Sequence, residues 1–223
     1  MYAEDGLAKS KVPYTVSEQN YEIKCLQPRE TNKHAVFFVH PRETINYHYE
    51  RNPADPRTSH QLALEVDVFG NVLKSAAMGY PRRSPAYPEQ AKTLITYTET
   101  DFINKSDKKT FYRIGVPAET RTYEITGLSL SANPLFTMTE ILAAVKNAKK
   151  IDYEVPLTAG VKQKRLIERT RNIYYKNDLS GPLKFRELES LALPYESYQT
   201  AFTPGLLTDS YKGKVTTDRK SVV

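Results

Sequence analysis

Few side chains in this sequence have the chemistry for a reaction, and their spacing decides which reactions are open to them. The four histidines are His34, His40, His48 and His60. His34 and His40 are six residues apart, so on one strand they share a face, and His48 could join them at a metal. No carboxylate lies at a ligand spacing beside them, and there is no His-Glu-x-x-His run. The simpler reading has His34 and His40 bracketing a buried strand, with His48 on a polar strand face. The single cysteine, Cys25, lies in an alternating run, where packing is its expected role. A reactive thiolate needs a base or cation beside it and access to solvent. One cysteine also excludes an intramolecular disulfide framework and any cysteine-rich zinc module. The nine glycines are scattered and form neither a phosphate-cradling loop nor a Gly-x-Ser-x-Gly elbow.

Paired carboxylates are the other candidates. Glu99 and Asp101 are two apart on an extended segment and share a face. Glu187 and Glu189 form a Glu-x-Glu pair of the kind used by mono-ADP-ribosyltransferases, with Ser129 and Ser131 supplying a Ser-x-Ser upstream. A stand-alone transferase using Glu187 and Glu189 is therefore one alternative. Against it, Glu187 falls in a run that reads as a short helix, where residues i and i+2 diverge. A basic polyanion-binding module is the second alternative. Arg82 and Arg83, beside Tyr80 and Tyr87, could stack on a nucleic acid, and Lys146, Lys149 and Lys150 cluster. Both groups read more simply as a solvated turn and a helix end. The net charge of +6, from 32 basic against 26 acidic residues, is mild and spread along the chain, so no nucleic-acid partner is expected. Arg42, beside Pro41, and Arg51 read as ion-pairing residues that fix loops. No catalytic, cofactor-binding or metal-binding residue is assigned, and no cofactor is expected.

The elements that hold these residues follow from patterning. At 223 residues and 25.5 kDa the chain suits one large domain or two small ones. Its hydrophobic fraction is 39% and its mean hydropathy −0.57. The longest apolar run, Ala35 to Val39, is far short of the ~20 residues of a membrane helix, so direct membrane insertion is not expected. No charged–apolar–small leader follows Met1, so no classical signal peptide is read. Sixteen tyrosines and fourteen prolines without a tryptophan favour short strands and loops. Strand alternation appears at Tyr21 to Cys25 and Thr44 to Glu50. The run His34 to His40 reads as a buried strand stopped by Pro41. Leu62 to Asp67 and Val72 to Tyr80 alternate on either side of Gly70-Asn71, which predicts a β-hairpin. Gly70 and Asn71 are the residue types that best tolerate positive φ. Thr93 to Tyr97, Phe111 to Val116 and Glu119 to Leu128 complete the strands.

Near residue 135 the period changes. Thr137 or Thr139 can cap a helix with Glu140 in its first turn. Ile141, Leu142, Val145 and Ala148 then share a face. A second amphipathic helix is expected over Lys162 to Tyr175, with Leu166, Ile167, Thr170, Ile173 and Tyr174 as its stripe. Arg186 to Leu193 reads as a short helix. The expected fold is mainly β with a helical insertion, with antiparallel strands and hairpins and two or three helices in the C-terminal third. Residues 1–130 form the β-rich part with the hairpin at 62–80. Residues 131–193 are mainly helical, and 194–223 form an irregular tail.

The hairpin sequence Asp67-Val68-Phe69-Gly70-Asn71-Val72-Leu73 resembles the core of a YD (Rhs) repeat, with Val66 where the leading tyrosine belongs. Longer blocks extend the likeness. PYTVSE (Pro13 to Glu18), HAVFFVHPRETINYHYERNPADPR (His34 to Arg57) and LEVDVFGNVLKSAAMGYPRR (Leu64 to Arg83) resemble the B-type component of bacterial insecticidal Tc (ABC) toxins. So do TLITYTETDFIN (Thr93 to Asn104), PAETRTYEITGL (Pro117 to Leu128), QKRLIE (Gln163 to Glu168) and ELESLALPYESYQTAFTPGLL (Glu187 to Leu207). The blocks run in order over residues ~2–207 and correspond to the TcdB/SpvB-like middle region beside the Rhs shell; from Thr208 onward the likeness fades. The resemblance implies a non-enzymatic, secreted protein, cytoplasmic before release. In that family the B component and part of the C component form a hollow β shell. The shell encloses the cytotoxic part of the C component, which leaves through the A pore component. The implied partners are the remainder of the B component, the C component and, through regions absent here, the A component. Family members are several times longer, so the chain is expected to be a fragment.

Overall fold

The computed structural model describes residues 1–109, 111–130, 133–212 and 214. Among these residues strands dominate, with two α-helices, so the mainly β reading holds. The chain divides into two compact units. The first comprises Met1–Leu64 with Ala76–Ile95, and the second Glu65–Ser75 with Thr96–Val223.

The first unit is built on β1 (Thr15–Gln27), β2 (Val36–His48) and most of β3 (Arg57–Val66). β1 and β2 are antiparallel from Thr15↔His48 to Gln27↔Val36. β3 pairs with only the second half of β2, from Glu43↔Leu62 to His48↔Arg57. The far half of the β1–β2 hairpin is therefore a two-stranded ribbon. The expected buried strand at His34 to His40 is corrected here. Val36, Phe37 and Val39 are all about half exposed, because β3 does not reach them. Pro41 does not stop β2 either. It stands opposite Tyr21 where the register slips past Arg42, and a bulge is one of the few sheet positions that tolerates a proline. Where β2 does have two neighbours, Ile45 is buried, and Tyr47 and Tyr49 lie on one face with stacked rings.

β3 leads into β4 (Val72–Gly79) through the hairpin tip at 67–71. The tip belongs to the second unit. That unit also holds most of β5 (Leu94–Lys108), β6 (Phe111–Thr126), α1 (Met138–Asn147), β7 (Lys149–Ile151), β8 (Gln163–Tyr174), β9 (Pro194–Gln199) and α2 (Pro204–Tyr211). Thr137 caps α1 as expected. Its hydroxyl accepts from the Glu140 amide at 3.2 Å, and its own amide donates to the Glu140 carboxylate at 2.7 Å. Such a cap contributes ~1 kcal/mol. Ile141 and Ala144 carry the buried face, while Leu142 is exposed.

β8 replaces the second expected helix. It lies between β6, antiparallel on one side, and on the other β7, parallel, and β9, antiparallel. The helical stripe at Leu166 to Tyr174 was only one of two periods present. The period-two row Arg169, Arg171 finds acceptors on β6, and those cross-strand partners decide the element. The expected short helix at Arg186 to Leu193 is a series of turns, with Arg186 at φ 68° and Ala192 at φ 51°, values an α-helix does not admit. Of the tail expected over 194–223, residues 194–212 carry two regular elements, and 213 and 215–223 lie outside the described residues. β9 pairs with β8, and Thr203 caps α2 with Pro204 in its first turn. A small core in this unit gathers Ile103, Ala118, Tyr174 and Leu188, with Phe111, Val116 and Leu183 packed on it. The Tyr174 hydroxyl donates to the Pro117 carbonyl at 2.8 Å, so its polar tip is satisfied inside that core.

Candidate functional site

The hairpin tip carries a dense set of polar bonds in the second unit. Asp67 follows the last residue of β3, and its Oδ1 accepts from the Phe69 amide at 2.9 Å and the Asn71 amide at 2.8 Å. Its Oδ2 accepts from the Asn71 carboxamide at 2.8 Å and from Asn104 on β5 at 3.1 Å. Asn104 Oδ1 in turn accepts from the Gly115 amide on β6 at 2.8 Å. These donors hold the Asp67 carboxyl below the usual carboxylate range despite the opposing effect of burial. Gly70 has φ 91° as expected, but Asn71 is not left-handed. Its value lies in the carboxamide. Gly115 has φ 69°, and a Cβ there would stand 2.7 Å from Asn71 Oδ1, so a larger residue would have to displace the Asn71 carboxamide. The tip thus locks β3–β4 to β5 and β6 through side-chain amides.

A second cluster lies on β6 and β8. Glu119 is 2% exposed and receives Arg169 Nε at 2.7 Å, Arg171 Nε at 2.5 Å and Arg121 Nη1 at 3.2 Å. Arg121 also reaches Glu99 at 3.2 Å and Asp101 at 3.6 Å on β5, and Arg186 pairs with Asp101. Glu99 and Asp101 therefore do share a face, but each is consumed by arginine. Tyr97 and Tyr123 lie nearby, with the Lys164 ammonium 5.7 and 4.9 Å from their ring centroids. Burial, with the Glu99 charge adding to it, pushes both phenols above their ordinary range.

The first unit has one buried polar relay. His60 is fully buried, its Nε2 2.9 Å from Glu43 Oε1 and its Nδ1 2.9 Å from the Tyr80 hydroxyl. Burial holds its pKa below the ordinary value, with Glu43 only partly opposing. The relay has no solvent access on the His60 side chain, so it fixes β2 to β3 rather than presenting a base. Near it, Asp55 is 6% exposed and accepts from Arg82 Nε at 2.9 Å and the Arg83 amide at 2.8 Å. Arg82 is thus spent on the turn that carries it.

The remaining candidates do not converge. His34 and His48 are exposed, and His40 stands 3.9 Å from Glu22. Among the described residues no group of three or more His, Cys, Asp or Glu could hold a metal. Cys25 is exposed, which corrects the packing role. Glu189 accepts from the Asn177 amide at 2.6 Å and Glu187 from the Lys184 amide at 3.2 Å. Both carboxylates cap turns, and of the upstream Ser129 and Ser131 the latter lies outside the described residues. A cleft of about 210 Å³ is lined by Tyr153, Leu166, Arg169, Phe202 and Leu206. Another, of about 400 Å³, is lined by Asp101, Phe102, Asn104 and Arg186. Neither contains Glu187 or Glu189. Lys146 ends α1, whereas Lys149 and Lys150 belong to β7. Arg51 makes the loop-fixing pair, to Asp5 at 2.5 Å, beneath which the Tyr14 ring lies 4.9 Å away. Sequence reasoning missed Glu119, Arg169 and Arg171, although the period-two charges Arg169-x-Arg171 and Glu119-x-Arg121 were visible.

Among the described residues, the Asp67, Glu119 and His60 clusters tie neighbouring strands and their turns together, while Asp55 and Arg51 fix turns and loops. Residues 1–116 match the family model described as the insecticide toxin TcdB middle/C-terminal region. The chain belongs to this family. Its fold also matches the crystal structure of TcdB2-TccC3 without the hypervariable C-terminal region, at 24% identity and a TM-score of 0.72, over 99% of this chain and 10% of that one. TcdB2-TccC3 itself matches at 23% identity and a TM-score of 0.72, over 98% of this chain and 11% of that one. The Photorhabdus luminescens Tc holotoxin pore matches at 24% identity and a TM-score of 0.71, over 98% of this chain and 10% of that one. At these identities the likeness is one of fold, and this chain of the TcdB family spans about a tenth of the length of the structures it matches. No curated protein matches it.

Proposed function

We propose that the chain is a non-enzymatic wall segment of a Tc-toxin B component, contributing to a hollow β shell that encloses the cytotoxic part of a C component. Its partners would be the remainder of the B component and the C component, with the A pore component reached through other regions. It would be secreted as part of that complex. The observation that carries this reading is the reach of the fold likeness, 98–99% of the chain, well past the residues of the family match. The site chemistry supports it. Glu119, Asp67 and His60 all act as fasteners between strands, and the Glu187 and Glu189 carboxylates are spent on turns. The Asp67 to Asn71 hairpin serves in this reading as a YD-type unit of the wall.

The test is complementation. TcdB2 lacking the matching tenth of its length is co-expressed with this chain and TccC3, and protease resistance of the hypervariable C-terminal region of TccC3 is followed. Resistance restored only with the chain present is the expected result. A chain that co-purifies yet leaves that region cleavable defeats the encapsulation role.

A further inference from the structure

Arg121, Arg165, Arg169 and Arg171 each meet a carboxylate on a neighbouring strand. Four lysines beside them do not. Lys146 stands in the last turn of α1, Lys149 and Lys150 on β7, and Lys162 immediately before β8, and all four are exposed. The Lys149 amide donates to the Lys162 carbonyl at 2.9 Å, which brings these two residues together. Lys150 stands beside Lys164 in the parallel register of β7 and β8. Like charges side by side on a sheet repel. Only one member of that pair is relieved. Lys164 lays its ammonium over the Tyr97 and Tyr123 rings, 5.7 and 4.9 Å from their centroids, while Lys150 stays exposed. Among the described residues none of Lys146, Lys149, Lys150 and Lys162 forms an ion pair, and Asp152, one residue past β7, does not answer them.

We propose that this lysine rim docks an extended, carboxylate-rich peptide segment running along β7. Successive side chains of a strand point to opposite faces, so Lys149 and Lys150 put positive charge on both sides of β7, and Lys146 and Lys162 add to it. Charge laid along a rim suits a linear partner rather than a compact ion. A peptide is favoured over a nucleic acid because the rings around the rim are already covered by cations. The Arg165 guanidinium lies 5.4 Å from the Tyr153 ring centroid, and Lys164 covers Tyr97 and Tyr123, so no stacking platform is offered to a base. A peptide is favoured over a lipid surface because α1 turns Ile141 and Ala144 inward, which leaves no apolar helix stripe to insert. Unanswered ammonium groups then select the partner and speed its approach through charge complementarity. The inference stands without the wall reading. Within a wall, it fixes the charge that the neighbour at this rim carries.

The test is fluorescence anisotropy of a labelled oligoglutamate peptide titrated with the full chain, first at low salt and then as salt rises. Wild type is expected to bind, and salt to weaken the binding. Lys149→Glu with Lys150→Glu is expected to weaken it about tenfold or more. Lys146→Glu with Lys162→Glu leaves β7 unchanged and is expected to reproduce the loss. Lys9→Glu with Lys11→Glu, at exposed positions of the first unit, changes the net charge equally and is expected to leave binding within about twofold of wild type. Circular dichroism establishes that each variant is folded. The proposal is overturned by a wild type that does not bind the peptide at low salt. It is also overturned if the Lys9 and Lys11 variant loses binding as much as the rim variants. A single-stranded oligonucleotide or phosphatidylserine vesicles that bind more tightly than the peptide, through the same four lysines, overturn it as well. None of these readouts involves protection of TccC3, so failure here is distinguishable from failure of the wall reading.

Discussion

The Asn71 carboxamide donates to Asp67 Oδ2 at 2.8 Å while the Asn71 amide donates to Oδ1 of the same carboxylate at 2.8 Å. Two adjacent loop residues would have supplied a simple reversal. Here the aspartate closes the loop over both of its oxygens and extends the bonding to Asn104. Asn71→Ala removes one donor and opens the route to Asn104. A loss of about 1–2 kcal/mol is expected in urea unfolding. Asp67→Ala strands several donors at once and should cost more. Equal effects from the two substitutions would mean that the carboxylate is not the hub.

Two glycines with similar backbone angles should respond very differently. Gly127 has φ 76°, and a Cβ there would lie 2.1 Å from the Val161 carbonyl oxygen. Gly160 has φ 70° with open space around the same position. Gly160→Ala is expected to cost only the left-handed strain, about 1–2 kcal/mol. Gly127→Ala should cost clearly more, because backbone must move. Melting temperatures of the two variants decide the matter, and a Gly127→Ala protein as stable as Gly160→Ala would contradict the close approach.

Removing Glu119 leaves Arg169 and Arg171 without their shared acceptor. Breaking one side of a buried ionic cluster costs about 3–5 kcal/mol. Glu119→Gln retains the shape and loses the charge, so it should fall between wild type and Glu119→Ala. The measurement is chemical unfolding of all three proteins. A Glu119→Ala protein within experimental error of wild type would show that the arginines find solvent at no cost.

His60 should make the first unit sensitive to mild acid. Its folded-state pKa lies below the ordinary 6.5, chiefly because it is buried. Below about pH 6.5 the unfolded chain takes up a proton at this residue before the folded chain does. Stability should therefore be level above that pH and decline as pH falls towards the folded-state value. His60→Gln removes the proton and should flatten this part of the curve. Melting temperatures from about pH 8 to about pH 5 test it. A wild-type melting temperature that rises on acidification would mean that the Glu43 carboxylate outweighs burial.

Local signals were legible where local forces decide. The capped start of α1 at Thr137 and the reversal at Gly70 could be read from a few neighbouring residues. Gln163 to Tyr174 could not, because its apolar residues fit a helix while its partners on β6 lie 37 to 52 positions earlier. The ribbon at Val36 to Val39 reads as buried because its residues are apolar. Exposure there depends on where β3 ends, which no property of the ribbon records. The candidate carboxylates were visible as pairs, but their consumption by arginines and turn amides was not. Those donors come from distant or unpatterned positions. The likeness to a toxin family came instead from long ordered blocks, whose information is cumulative rather than local.

The placement of α1 bears on how quickly the second unit can assemble. β6 and β8 pair antiparallel from Glu119↔Arg171 inward to Thr126↔Gln163, so their first contact must close a long loop. Closure entropy grows with the logarithm of loop length, and such non-local pairing slows folding. The capped helix sits inside that loop and forms from nearest neighbours alone, on a far shorter timescale. Once wound, it rises only about 1.5 Å per residue, so it shortens the span the remaining chain must search. Wherever the helix is wound, it acts as a spacer that shortens the distance β8 must close to reach β6.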